Sequence, residues 1–332
     1  MVKIAIDAMG GDFGPGPIVK GCIAALKLKH FTPIFIGKKN EILPLLPRSY
    51  RDKISIVEAD DIISMDDAAT DAVKRKESSI YKAIELVRNG EADGVVSAGH
   101  SGATMTLATL RLGRLQGVIR PALAALMPTK TSRRSILLDV GANVDSKAEH
   151  LVQFAIMGGC YAEDMFKINT PSIGLLANGE EDSKGNEVTK SAFKILEGYK
   201  GFKGNVEGAD IFNSSTDVIT CDGFVGNLVL KASEGVASTV SKLIKEYIRK
   251  SPISITGALL MRKVFKLLKK QMDYEEVGGA PLLGIKGCVI VSHGKSGPKA
   301  IKNAIFQAIS YVDTGVNEHI VSRISDLKSK EI

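Results

Sequence analysis

The sequence predicts a layered α/β fold built on a largely parallel sheet. Strand-length apolar runs recur along the whole chain, and most are separated by segments whose apolar residues return at helical spacing. Glycine-rich turns follow many of these runs, where open α/β sheets gather ligand groups at the carboxyl ends of their strands.

The first run covers 2–6 and ends in Asp7, Ala8, Met9, Gly10, Gly11 and Asp12. Paired glycines there let bare backbone approach a polar group, and the helix that follows can aim its N-terminus at the same place. Further runs lie at 33–36, 54–57, 94–97, 122–127, 136–140, 173–177 and 288–292. Helical periodicity fills 78–88 and 147–164, and a long helix is expected over 226–245. The glycine-rich turns fall at 98–103, 141–143, 178–185, 222–227 and 278–287. No low-complexity linker divides the chain, so one unit over 1–332 is expected, with a projecting helical region at about 247–275.

Composition bounds the function. The 332 residues are 44% hydrophobic and 24% charged, which is ordinary globular material and not disorder. Aromatic content is 5% with no Trp, which argues against nucleic-acid binding by stacking. Cys22, Cys160, Cys221 and Cys288 are scattered without zinc-site spacing, as in a reduced cytoplasmic protein. Met1 leads straight into strand-like sequence without the features of a signal peptide, and no apolar run reaches the ~20 residues that span a bilayer. The formal charge of +7 is local: the window 247–272 holds seven basic residues and no acid, and outside it basic and acidic residues balance at 37 each.

Two turns echo one another. Val95, Val96, Ser97, Ala98, Gly99, His100, Ser101 and Gly102 resemble Ile290, Val291, Ser292, His293, Gly294, Lys295, Ser296 and Gly297. Each carries N–H groups and hydroxyls from a strand end into a helix N-terminus, a geometry suited to oxyanions, although common turn chemistry produces the same pattern. Gly294, Lys295 and Ser296 imitate the end of a P-loop, but Val289 stands where that loop needs glycine. Around Gly10, Asp12 takes the second glycine position of a dinucleotide fingerprint, and Pro15 and Pro17 interrupt the next turn. Asp66, Asp67 and Asp71 read as a charged helix start, and no metal or cofactor is assigned.

In order, the loops at 7–12, 97–103, 139–145, 178–185, 222–227, 278–287 and 293–296 resemble the bacterial phosphate acyltransferase family of phospholipid synthesis. Each piece is weak, but the ordered set spans the chain. The resemblance implies a soluble homodimer with a three-layer α/β/α fold similar to phosphotransacetylases and isopropylmalate dehydrogenases. It also implies conversion of acyl carrier protein thioesters and inorganic phosphate into acyl phosphates, which a membrane glycerol-3-phosphate acyltransferase would consume. A short-chain phosphotransacetylase using coenzyme A and a non-catalytic binding protein on the same fold are the alternatives. His100 and Ser101 stand where the family commonly has Asn-Thr.

Attack of phosphate on a thioester needs one anion positioned and a second, developing one stabilised. Backbone N–H groups of the turns 97–103 and 293–297 are candidates for phosphate, with Lys184 or Lys295 balancing its charge and Lys184 preferred. His293 can orient phosphate or protonate the leaving group, and Asn227 can donate to the thioester oxygen or merely cap its helix. Asn178 and Glu180 accompany Lys184, and Ser97, Gly99, His100, Ser101, Gly102, Gly294 and Ser296 accompany the turns. Asp7 and Asp12 fit turn-holding bonds or a contact to the substrate thiol better than contact with phosphate, because like charge repels, and Asp139 and Asn143 in the next glycine turn leave the same two roles open.

On a helical wheel over 260–270, Leu260, Met261, Val264, Phe265, Leu267 and Leu268 share one arc, and Arg262, Lys263, Lys266, Lys269 and Lys270 take the other. Five cations without an anion opposite an apolar face fit a helix lying on an anionic membrane surface. Packing on the core, a dimer partner or acyl carrier protein is the competing expectation.

Overall fold

The computed structural model describes residues 1–131 and 133–330. The strands are β1 (Lys3–Asp7), β2 (Thr32–Gly37), β3 (Ser55–Glu58), β4 (Gly94–Ser97), β5 (Ala122–Pro128), β6 (Arg134–Leu138), β7 (Ile173–Leu176), β8 (Phe202–Val206), β9 (Val218–Thr220), β10 (Ala280–Leu283) and β11 (Cys288–Val291). They form one sheet in the order β3-β2-β1-β4-β11-β10-β5-β6-β9-β7-β8.

The strands β3, β2, β1, β4 and β11 form one parallel set, and β6, β9, β7 and β8 form another. Antiparallel pairing is confined to the centre, along β11, β10, β5 and β6. With β10 and β5 between them, the two sets run in opposite directions. Leu123 pairs with Leu282 of β10, and its carbonyl accepts the Val140 N–H at 3.0 Å, so the end of β6 arrives beside the middle of β10. Carboxyl-end loops of both sets therefore meet near the sheet centre.

The helices are α1 (Pro15–Leu26), α2 (Ser79–Arg88), α3 (Ser101–Leu107), α4 (Ala148–Phe166), α5 (Glu187–Leu196), α6 (Gly223–Arg249), α7 (Pro252–Leu260), α8 (Arg262–Met272), α9 (Pro298–Thr314) and α10 (Val316–Lys330). Strand side chains alternate between two apolar layers. Ile4 and Ile6 face a core shared with α1, α4, α9 and α10, built on Phe154, Tyr161, Ile301 and Ile320. Ala5, Val95, Leu123, Ala125 and Val289 face the other layer, which α2 and α3 cover with Ile80, Ile84, Ala103 and Leu107. That layer opens between α3 and the start of α6.

The helix expected over 226–245 is the longer α6, whose buried residues are Gly223 and Gly226 alone. The rest of α6 carries exposed Val236, Val240, Leu243, Ile244 and Tyr247 away from the sheet, and α7 folds back against it. The projecting region thus starts within α6, upstream of 247. The wheel over 260–270 is not one helix either: Met261 ends α7 and precedes α8. Leu260, Met261, Val264, Leu267 and Leu268 are exposed, and Phe265 is half-buried. Gln271 ties α8 back to the body, its amide donating to the carbonyls of Thr129 at 2.5 Å and Thr131 at 2.8 Å.

Candidate active site

Three loops of the first parallel set are stacked backbone against backbone. A Cβ on Gly10 would lie 2.6 Å from the Gly99 nitrogen, so only glycine admits this approach. The Asp12 N–H donates to the Gly294 carbonyl at 2.8 Å, which joins the loop after β1 to the loop after β11. Asp7 holds the stack from below: its carboxylate accepts the Ser97 hydroxyl at 2.7 Å and the N–H groups of Met9 at 3.3 Å and Gly10 at 3.1 Å. Burial pushes its carboxyl pKa up, against these hydrogen bonds.

Asp139 does the same for the second set. It accepts N–H groups from Leu123, Gly141, Ala142 and Asn143, and the Asn143 amide at 2.9 Å. Its carboxyl pKa is also raised by burial. The first turn of α6 sits directly on this loop, where a Cβ on Gly226 would lie 1.9 Å from the Asp139 carbonyl oxygen. Asp7, Ser97, Asp139 and Asn143 are therefore buried or half-buried loop holders, and none of them lines either of the two cavities beside these loops.

Between the two supports lies a cavity of about 490 Å³. Asp12, Gly99, Ser101, Asn227, His293 and Gly294 line it, so six of the residues singled out in sequence meet at one place. Its apolar floor is Leu123 and Ala125 of β5 with Leu126, Val140 and Val291, and Leu230 stands on the α6 side. Sequence reasoning missed Lys231 and Glu234, which also line it. The signal was available: 227, 230, 231 and 234 are the spacing of one helix face, continuing from Asn227.

Met65 reaches the cavity from the loop between β3 and α2. Arg75 clasps that loop, its guanidinium donating to both oxygens of Asp61, to Asp67 at 2.6 Å and to the Ile62 carbonyl at 2.7 Å. The Arg75 hydrogen bonds hold the Asp61 carboxyl below its ordinary range. Asp67 thus serves this clasp, and only Asp71 sits in a helical first turn.

The two echoed turns behave differently. His100 caps α3, its Nδ1 accepting the Ala103 N–H at 3.1 Å, so a neutral ring carries its proton on Nε2. His293 Nδ1 accepts the Lys295 N–H at 3.0 Å in the same way. The N–H groups of Ser296 and Gly297 are also committed, to the His293 carbonyl at 2.9 Å and Glu275 Oε1 at 3.1 Å. Three N–H groups of the expected oxyanion cradle at 293–297, those of Lys295, Ser296 and Gly297, are thus taken by the protein's own acceptors. Lys295 is exposed and Ser296 buried, and neither lines the cavity. Gly102 packs beside the His100 ring, and Gly11 faces the Gly294 carbonyl.

The loop after β7 does not join this cavity within one chain. Asn178 accepts the Gly185 N–H at 2.9 Å and lines a second cavity of about 810 Å³ on the other flank of the α6 N-terminus, with Asp222, Phe224 and Val225. Lys184 is half-buried in that loop and Glu180 is exposed, and both lie outside the lining of the first cavity. The strand order explains the separation: β9 lies between β7 and β6, moving the 178–185 turn away from the centre.

Over residues 2–319 the sequence matches the family described as fatty acid synthesis protein. The chain is 83% identical over 331 residues to the phosphate acyltransferase of Sulfurimonas denitrificans, covering 100% of both chains. It is 60% identical to that of Nitratiruptor sp., covering 99% of this chain and 100% of the relative. Among solved structures, a phosphotransacetylase from Streptococcus pyogenes shares the fold, with a TM-score of 0.64, 19% identity and 94% of each chain covered. The chain belongs to the phosphate acyltransferase family and is an enzyme of that class.

Proposed function

We propose that this enzyme moves a long-chain acyl group from acyl carrier protein to inorganic phosphate, releasing acyl phosphate and the free carrier thiol. The observation that carries the reading is the cavity itself, with Asn227, Lys231, His293 and Ser101 around an apolar floor of Leu123, Ala125 and Val291. Such a site suits an acyl chain laid on β5 with its thioester carbonyl raised toward the polar wall.

An oxygen of monoprotonated phosphate attacks the thioester carbon, the C–S bond breaks, and the thiolate leaves with the electron pair. The phosphate hydroxyl proton ends on sulfur, so the reaction balances without a cofactor. The Asn227 amide donates to the carbonyl oxygen as it gains charge, and His293 on the cavity wall orients phosphate or passes the proton. Lys184 remains a proposed charge-stabilising group; unchanged turnover in Lys184→Ala removes it from the mechanism.

The arm formed by α6, α7 and α8 is proposed to rest on an anionic membrane surface, with its product passed to a membrane glycerol-3-phosphate acyltransferase. Its exposed Leu260, Leu267 and Leu268 beside Arg262, Lys263, Lys266, Lys269 and Lys270 support that reading. No helix among the described residues is long and apolar enough to cross a membrane. A homodimer and a cytoplasmic setting belong to the same proposal.

Long-chain acyl carrier protein incubated with the enzyme should release thiol only when phosphate is present. Release from acetyl-coenzyme A in preference to the long-chain carrier substrate establishes the short-chain reading instead, and no release from either refutes acyl transfer.

A further inference from the structure

Resting on the acyl-transfer reading, the geometry points to Lys231 as the cation that binds phosphate in the first cavity, with Glu234 as the internal anion that phosphate displaces. Among the described residues that line this cavity, Lys231 is the one Lys or Arg. Asp12 and Glu234 also line it, so a phosphate dianion entering there meets two carboxylates and needs a counter-charge. Lys184 and Lys295 lie outside the lining. Within the turn at 293–297 the N–H groups of Lys295, Ser296 and Gly297 already donate to the protein, and backbone N–H groups carry no full charge to set against those carboxylates.

Lys231 Nζ lies 2.8 Å from Glu234 Oε2, with side-chain exposures of 53% and 40%. A pair this exposed, one turn apart on a helix, contributes little to stability and exchanges readily. Phosphate offers the same ammonium more oxygens and more charge than one carboxylate does. Asn227 lies one turn before Lys231 on the same face of α6. A phosphate held by Lys231 therefore sits beside the amide proposed to receive the thioester oxygen. In the step that follows, the P–O–C bond forms, the C–S bond breaks, and the phosphate hydroxyl proton goes to the departing sulfur.

Inorganic phosphate binding is measured by calorimetry without thioester, for wild type, Lys231→Met, Lys231→Arg and Glu234→Gln, and steady-state turnover is measured in parallel. Lys231→Met should weaken phosphate binding by about tenfold or more and raise the phosphate KM in step, with the thioester KM unchanged. Lys231→Arg should restore most of the binding, and Glu234→Gln should tighten it. Wild-type phosphate affinity in Lys231→Met, an equal rise in both KM values, or no phosphate binding by wild type overturns the assignment. Lys231-dependent phosphate binding by a protein that turns over no thioester upholds the anion site and refutes the acyl-transfer reading.

Discussion

Asp139→Asn separates the carboxylate's charge and acceptor capacity from its size. One Asp139 oxygen accepts Leu123, Gly141 and Ala142 N–H at 2.9, 3.2 and 3.1 Å, and the other accepts the Asn143 N–H and amide at 2.7 and 2.9 Å. An asparagine keeps one acceptor and places an NH2 group against the donors of the other, so its better orientation loses the two Asn143 bonds. At about 1.5–3 kcal/mol for each bond to a charged acceptor, the gross loss is about 3–6 kcal/mol. Burial already raises the Asp139 pKa, so the neutral amide escapes part of a desolvation cost, and the net loss is about 2–4 kcal/mol. Urea unfolding measures this directly. Turnover should fall as well, because the same loop carries Gly141 to the cavity and seats the first turn of α6. A loss of stability below about 1 kcal/mol would refute the idea that this carboxylate organises the loop.

Gly10→Ala should cost about 1–3 kcal/mol in urea unfolding, since its Cβ would lie 2.6 Å from the Gly99 nitrogen. His150 is buried where its Nδ1 accepts the Lys147 N–H at 3.1 Å, and burial followed by the Arg120 charge lowers its pKa from 6.5. The unfolded chain protonates this ring first, so its contribution is intact above about pH 6.5 and is lost as pH falls toward the folded value. Stability measured between pH 7 and pH 5 should decline, with a flatter profile in His150→Asn. Phe265→Glu should weaken sedimentation with anionic vesicles by about tenfold or more while soluble turnover stays largely intact, and equal sedimentation argues against the membrane arm.

What the sequence reveals depends on chemical contrast. β4 at Gly94–Ser97 was legible as a short apolar run between polar turns, and β1 and β11 nearly so. β9 is only Val218–Thr220, β8 reads Phe-Lys-Gly-Asn-Val, and β10 lies among glycines, so none carries a strand signal of its own. Asn227 and His293 stood out because polar groups at strand ends and helix starts are informative. Met65 and Leu123 did not, since the apolar wall of a cavity and a closed core use the same side chains. Lys231 and Glu234 share the helix face of Asn227, a spacing visible in the sequence, but the sequence does not show that this face borders the opening between α3 and α6. Lys184 and Asn178 fell outside the first cavity because strand order, which local sequence does not encode, places β9 between β6 and β7.

Among the described residues, the last two strands in chain order are the ones that occupy the sheet's middle. A ribosome that has reached residue 270 has supplied β1 to β9, yet β4 and β5 still present open edges, because β11 and β10 belong between them. Without residues 280–291 those two edges have no strand partner in this fold, and an unpaired edge is a template for pairing with other chains. The cavity floor spans that seam. A chain that stops short of the closing strands therefore lacks Val291, His293 and Gly294 and has one wall of the cavity missing.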